Sequence, residues 1–125
     1  MKAGSVITLL QTAVNSLGQP IEYPRDGVPE VTAFLVEMAP GEETGWHQHP
    51  VPLLGYIFSG ELTVYQVTGE KRVVRAGEVS LESVDVLHRG VNEGGVPCKM
   101  IVFVLGLKDV AYTEEAGREI PSRAD

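Results

Sequence analysis

The chain has 125 residues, enough for one core of ordinary size, and its 43% hydrophobic content excludes an intrinsically disordered polymer. A net charge of −7 argues against nucleic acid or an anionic membrane surface as the natural partner. The lone cysteine, Cys98, excludes an intrachain disulfide and a zinc site made of cysteine alone, and reads as a small buried apolar residue.

No run approaches the roughly 18 apolar residues of a membrane span. Residues 5–14 follow Lys2 but are interrupted by Thr8, Gln11 and Thr12, and no clean small-residue cleavage site follows. A cytoplasmic location is expected, with the periplasm as the alternative.

Taken in order, residues 5–14 read as an edge strand packing across a partner subunit or the barrel rim, with a short helix as the alternative. Residues 18–30 form a turn-rich loop containing Pro20, Pro24 and Pro29. Residues 31–38 lack polar alternation and read as a buried strand. Pro40 and Gly41 make a tight turn before a strand over 46–49, which Pro50 and Pro52 break. Further strands are expected at 54–58, 62–67, 72–75, 79–82, 88–92 and 96–105, the last being the most apolar. Turns fall at 59–60, 68–70, 76–78 and 93–95, with a bend at 83–85. Phe34, Met38, Met100 and Phe103 are core candidates. Residues 108–125 are polar and charged and read as a mobile tail or a short helix over one barrel mouth. Many short strands with regular turn signals imply an all-β closed sandwich or barrel rather than a parallel α/β fold. The organisation is one domain, with an N-terminal strand and loop over 1–30, a barrel over 31–106 and a tail over 107–125.

Chemistry concentrates in residues 41–60, where His47 and His49 sit one residue apart. Successive side chains on a strand alternate between faces, so residues two apart point the same way. An H-x-H pair on a strand therefore aims two imidazoles at one point, as a metal centre requires. On a helix the same spacing would splay them, and the local density of glycine and proline argues against a helix.

These residues resemble the cupin superfamily, whose barrels carry two motifs. The first, G-x5-H-x-H-x3,4-E-x6-G, is matched in register by Gly41, His47, His49 and Gly60, with Leu53 at the glutamate position. The second, G-x5-P-x-G-x2-H-x3-N, is matched by Gly77, His88 and Asn92, with Ser83 and Asp85 at the proline and inner glycine positions. All three histidines of the chain fall on the family's histidine positions. The chain also resembles a group of small single-barrel bacterial cupins, most without an assigned activity. The resemblance implies a cupin-like jelly-roll β-barrel, a double-stranded β-helix.

It further implies that His47, His49 and His88 bind a divalent transition metal such as Fe, Zn, Ni or Mn, which neutral imidazoles suit. The competing reading is a metal-free pocket in which the histidines hydrogen-bond each other and water. With Leu53 in place of glutamate, an ion held by three imidazoles keeps its full formal charge and draws anionic substrates. Loss of the glutamate equally suits weak metal retention and lost catalysis. Glu82, an even six residues before His88, is a candidate replacement carboxylate or general base; its competing reading is an exposed rim residue or a partner of Arg89. Counting in twos from Leu53 puts Gly55 and Ile57 on the inner face and suggests a pocket for a small, partly apolar molecule. The glycine reads equally as a bulge or barrel corner. Trp46 and Tyr56 are expected to face the second sheet or a dimer contact.

Two functions are compatible with this pattern. One is a metal-dependent small-molecule enzyme of dioxygenase type acting on an acid, enol or diketone, or within the same class an isomerase or lyase. The other is a non-catalytic barrel that binds or senses a small ligand. The resemblance also implies a homodimer.

Overall fold

The computed structural model describes residues 4–116. Nine strands form in order: β1 (Pro29–Met38), β2 (His47–Gln48), β3 (Leu53–Ser59), β4 (Glu61–Gln66), β5 (Lys71–Arg75), β6 (Val79–Leu81), β7 (His88–Val91), β8 (Cys98–Leu107) and β9 (Glu114–Glu115). Among the described residues no helix is long and apolar enough to cross a membrane. The strands pair antiparallel into two sheets, ordered β1-β8-β3-β6 and β5-β4-β7-β2-β9, which face each other as a jelly-roll double-stranded β-helix.

The period of two decides which side chains fill the space between the sheets. On β3, Leu53, Gly55 and Ile57 are buried, while Leu54 and Tyr56 are half-buried and Phe58 is exposed. Met38, Ile57 and Cys98 from one sheet pack against Leu62 and Val74 from the other. A second cluster joins Val51, Leu53, Val102 and Val104, with Phe34 and Tyr112 laid against it. Each large side chain so buried contributes about 1.5–3 kcal/mol.

The motif positions outside the histidines have structural causes. Gly41, Gly60 and Gly77 hold φ values of 88°, 75° and 88°, a left-handed conformation that side-chain-bearing residues rarely adopt. Asp85, at the family's inner glycine position, also sits left-handed at φ 58°. Aspartate is one of the few residues that tolerates this. The Asp85 N–H donates to the His49 carbonyl at 2.9 Å, tying the bend to the segment that carries a histidine. Asn92 is fully buried; its Nδ2 donates to the Met38 and Val96 carbonyls, and its Oδ1 accepts the Gly94 N–H. It is a corner brace.

Several expectations are corrected. Residues 5–14 join neither sheet of their own chain and are exposed, with one bridge from Val14 to Pro20, and the chain first meets a sheet where the Ser16 N–H donates to the Leu81 carbonyl at the β6 edge. The strand at 29–38 is an edge strand covered on one side, so Val31 and Leu35 are 67% and 72% exposed. Phe103 shares that outer face and lies outside the core, 39% exposed, since it pairs with Ala33 on β1. The strand expected at 46–49 is formed only at His47–Gln48, and His49 lies just past it. Residues 112–115 are neither tail nor helix: Tyr112 stacks on Phe34 and β9 pairs with β2. The remainder of the expected tail, 117–125, lies outside the described residues, as do residues 1–3.

A Cβ at position 60 would overlap the Pro97 carbonyl oxygen and force a left-handed side chain. Gly60→Ala is therefore expected to lose at least about 2 kcal/mol in urea unfolding. A change within about 0.5 kcal/mol, the range of a neutral surface substitution, would contradict this account.

Candidate metal centre

The site is built by strand register. His47 on β2 and His88 on β7 are direct cross-strand partners, so both rings project to the same inner face. His49 lies two residues beyond His47 and shares that face. Glu115, His47, His88 and Gln66 are successive partners across β9, β2, β7 and β4. The fourth donor comes from the opposite sheet. The Glu82 N–H donates to the Leu53 carbonyl at 2.9 Å, continuing the β3–β6 register in which Leu54 faces Leu81. Glu82 therefore stands across from Leu53 and points to the same side. The carboxylate missing from position 53 is supplied by its cross-strand neighbour.

The four side chains converge. Ring centroids of the histidines are 4.9 Å (His47–His49), 4.5 Å (His47–His88) and 5.2 Å (His49–His88) apart. The Glu82 carboxylate lies 3.4 Å from His88 Nε2 and 3.6 Å from His49 Nε2. One donor atom from each of the four residues lies within 4.8 Å of the other three. Two donors bound at about 2.0–2.2 Å to one ion stand about 3–3.5 Å apart, so these separations suit a shared ion.

Each imidazole is oriented from behind. His47 Nδ1 is 2.9 Å from the Gly45 carbonyl, His49 Nδ1 is 2.7 Å from the Tyr112 carbonyl, and His88 Nδ1 is 3.0 Å from the Val86 carbonyl. A carbonyl only accepts, so each Nδ1 carries the hydrogen and each neutral ring presents a bare Nε2. Hydroxyls reinforce this: Thr44 lies beside His47, Thr113 beside His49 and Ser83 beside His88. The Ser83 hydroxyl donates to Gln66 Oε1 at 3.1 Å, leaving its lone pairs for His88.

Burial pushes His47 and His49 below the usual imidazole range, so both are neutral and ready to donate a lone pair at neutral pH. Burial also acts to lower His88, but the Glu82 carboxylate outweighs it and holds the ring above the usual range. For Glu82, burial alone would raise the carboxyl; the neighbouring His88, His49 and His47 more than offset it and keep the carboxyl below the usual range. Glu82 and His88 thus favour each other's charged forms, and a cation bound between them would take over that role from a proton. His49 Nε2 and His88 Nε2 are buried with no hydrogen-bond partner. Unpaired buried nitrogens are costly, and a cation between them and Glu82 would satisfy both. The donor set fits a divalent transition metal.

A cavity of about 210 Å³ opens beside the four donors. Phe34, Val36, Leu53 and Met100 give it apolar walls, and Thr44, Thr113 and Glu115 are its polar lining outside the donor set. Of the expected pocket residues, Leu53 lines this cavity, whereas Gly55 and Ile57 line a smaller void adjoining it. Glu82 is turned inward, and the alternative partner for Arg89 is not used. Arg89 instead approaches Glu43 at 3.5 Å and lies over the rings of Trp46 and Tyr65. Sequence reasoning missed Gln66, Ser83, Tyr112, Thr113 and Glu115. Only the alternation of Thr113 and Glu115 within a polar stretch hinted at a strand.

The family model described as "Cupin domain" matches residues 34–104. The chain belongs to the cupin family. This cupin is 34% identical over 110 residues to oxalate oxidase GF-3.8 of Triticum aestivum, covering 82% of this chain and 49% of that protein. It is 28% identical over 110 residues to the cupin-domain-containing oxidoreductase fogC of Aspergillus ruber, covering 80% of this chain and 54% of that protein. The chain spans about half the length of the curated relatives it matches. Among solved structures, oxalate oxidase in complex with the substrate analogue glycolate superposes with a TM-score of 0.54 at 30% identity, over 61% of this chain and 42% of that chain.

Ser83 has no reach to an ion of its own, so its effect runs through His88. Ser83→Ala is expected to weaken divalent-metal affinity by about tenfold, the lower end for loss of an orienting partner, because the Val86 carbonyl still holds the ring. Chelator competition would show it; unchanged affinity would mean the carbonyl alone orients His88.

Proposed function

We propose that this cupin holds a divalent transition metal on His47, His49, His88 and Glu82 and acts as an oxidoreductase, of dioxygenase or oxidase type, on a small metal-chelating acid, enol or diketone. The observation that carries the reading is the convergence of three backward-tethered imidazoles and one carboxylate on a point where two buried nitrogens have no other partner. A mixed nitrogen and oxygen donor set suits Fe, Mn, Zn or Ni. The names of the relatives, an oxalate oxidase and an oxidoreductase, support the reaction class.

The metal would supply Lewis acidity and, if redox-active, a path for electrons to O₂. The chain's own contribution is positional. Glu82 offsets one unit of the cation's charge and, as the one half-buried member of the set, is the carboxylate best placed to exchange a proton with a bound molecule. Leu53, Phe34 and Val36 exclude water from one side of the cavity, which strengthens every polar contact made inside it. Thr44 and Thr113 hold His47 and His49 at the polar side.

Metal analysis of protein purified without a chelator tests the reading. About one equivalent of a transition metal per chain is expected, by analogy with single-site cupin-type centres. His88→Ala and His49→Ala should lose most of it, and Glu82→Ala should weaken it by about 10–100-fold. Iron- or manganese-loaded protein should then consume O₂ with a member of a panel of small acids and diketones. Wild-type protein that takes up no metal on titration would overturn the assignment.

The same reading includes a homodimer. Val6 and Ile7 are 68% and 78% exposed on an extended arm, and Val31, Leu35 and Phe103 form an exposed apolar face on the outer side of β1 and β8. A two-fold pair would cover both surfaces with one another. Sedimentation at micromolar concentration is expected to give twice the 13.5 kDa chain mass, and Leu35→Arg a monomer. A wild-type monomer would sink the dimer.

A further inference from the structure

We infer that Gly55 determines substrate choice at this centre, and that the substrate is a chelating acid whose arm beyond the chelating group is short and apolar rather than charged. This rests on the metal-dependent reading above and narrows it.

Behind the main cavity lies a void of about 20 Å³ lined by Gly55, Ile57, Val74 and Ser80. The two spaces share Leu62, Val64, Glu82, Met100 and Val102 as walls, so the small void adjoins the inner side of the pocket that begins at the histidines. It is large enough for one water or one methyl group. A trapped water needs two to four polar partners. The lining offers only the Ser80 side chain and Glu82, and Glu82 is turned to His49 and His88. A methyl or methylene group is the better occupant.

Glycine at position 55 has no conformational cause. Its φ is not in the left-handed region, and a Cβ built there would meet only Met100 Sδ, at an ordinary 3.7 Å. Its cross-strand partners on the two sides are Ser80 and Val102, with no bulge between them. The backbone would accept a side chain without strain. The effect of the glycine is to leave the adjoining void unfilled, within reach of a substrate arm that enters from the histidines.

Charge narrows the substrate further. Among the described residues lining the two cavities there is no lysine or arginine, and Glu115 adds a carboxylate beside His47. Within these two cavities the metal would supply the positive charge facing a substrate; Arg72 lines a separate neighbouring void. One carboxylate, with a neighbouring oxo or hydroxy oxygen, can be satisfied there. A second carboxylate too far along the chain to reach the ion would find no cationic partner in the lining and would face Glu82 or Glu115 across an apolar pocket.

The test is calorimetric binding of glyoxylate, pyruvate, 2-oxobutanoate, 2-oxopentanoate and 2-oxoglutarate to Mn²⁺-loaded wild type and Gly55→Val, with metal stoichiometry measured in parallel. Along the monoacid series affinity should rise about fourfold per added carbon until the inner void is filled. 2-Oxoglutarate, which carries a carboxylate beyond the chain length of 2-oxobutanoate, should bind more weakly than 2-oxopentanoate, which ends in a methyl group. In Gly55→Val the optimum should move to a shorter acid, with the longest acids losing about tenfold while glyoxylate and metal stoichiometry are unchanged. Gly55→Ala, whose Cβ has room, should show the same shift in smaller measure if the valine variant fails to fold. Metal bound at full stoichiometry with 2-oxoglutarate tighter than 2-oxopentanoate, or with the same rank order in the variants, would overturn the substrate inference alone. Wild-type protein that binds no metal would overturn the underlying reading as well.

Discussion

A neutral imidazole can offer a lone pair from either nitrogen, and a site of three such rings works only if all choose the same one. Here the choice is made by the main chain. The carbonyls of Gly45, Tyr112 and Val86 each accept from an Nδ1, and each ring is left with Nε2 facing the centre. The rest of the barrel serves that arrangement. Gly45 precedes His47 by two residues, Val86 precedes His88 by two, and both carbonyls are placed by the turns that enter β2 and β7. Tyr112 is brought from the far end of the described chain by its stack on Phe34 and by the pairing of β9 with β2. Burial around the rings then keeps His47 and His49 uncharged.

The carboxylate illustrates how a sheet exchanges residues without changing a site. Cross-strand neighbours in an antiparallel pair share a face and stand about 4.5–5.5 Å apart. An acid moved from one partner to the other keeps its side of the sheet and nearly its position. Leu53 and Glu82 are such partners, joined by a main-chain hydrogen bond of 2.9 Å. The exchange leaves an apolar side chain where the family pattern has an acid, and this gives the cavity one greasy wall. The centre still has its single anionic donor, so its charge is that of a carboxylate-containing site and not of three imidazoles alone.

The two faces of the β1-β8-β3-β6 sheet divide the labour of this cupin. Inward, Leu53, Gly55 and Ile57 run from the centre into the core, and Gly55 borders the small void beside the pocket. Outward, Val31, Leu35 and Phe103 leave apolar area uncovered, as does the arm at Val6 and Ile7. A period of two lets one strand line a pocket with one set of side chains and offer a contact surface with the other. Substitutions on the two faces of β3 or β8 should therefore act independently.

Much of this was legible in the linear chain because it depends on local rules. The turns at Gly41, Gly60 and Gly77 require left-handed backbone, and short apolar runs between them can only be strands. The spacing of His47 and His49 fixes their shared face wherever the strand goes. Position 53 could be seen to lack its acid, and Glu82 could be suspected from parity with His88, although the bend at 83–85 voids that count. What decided the matter was register between β3 and β6, a long-range pairing that no local pattern records. The same holds for Tyr112, Thr113 and Glu115, which look like solvated tail until β2 offers them an edge. It holds too for residues 5–14, whose apolar character resembles a strand but which pair with no strand among the described residues. Sequence determines which residues can share a face. Tertiary pairing alone determines which faces meet, because hydrogen-bond partners on distant strands are set by the closure of the whole barrel.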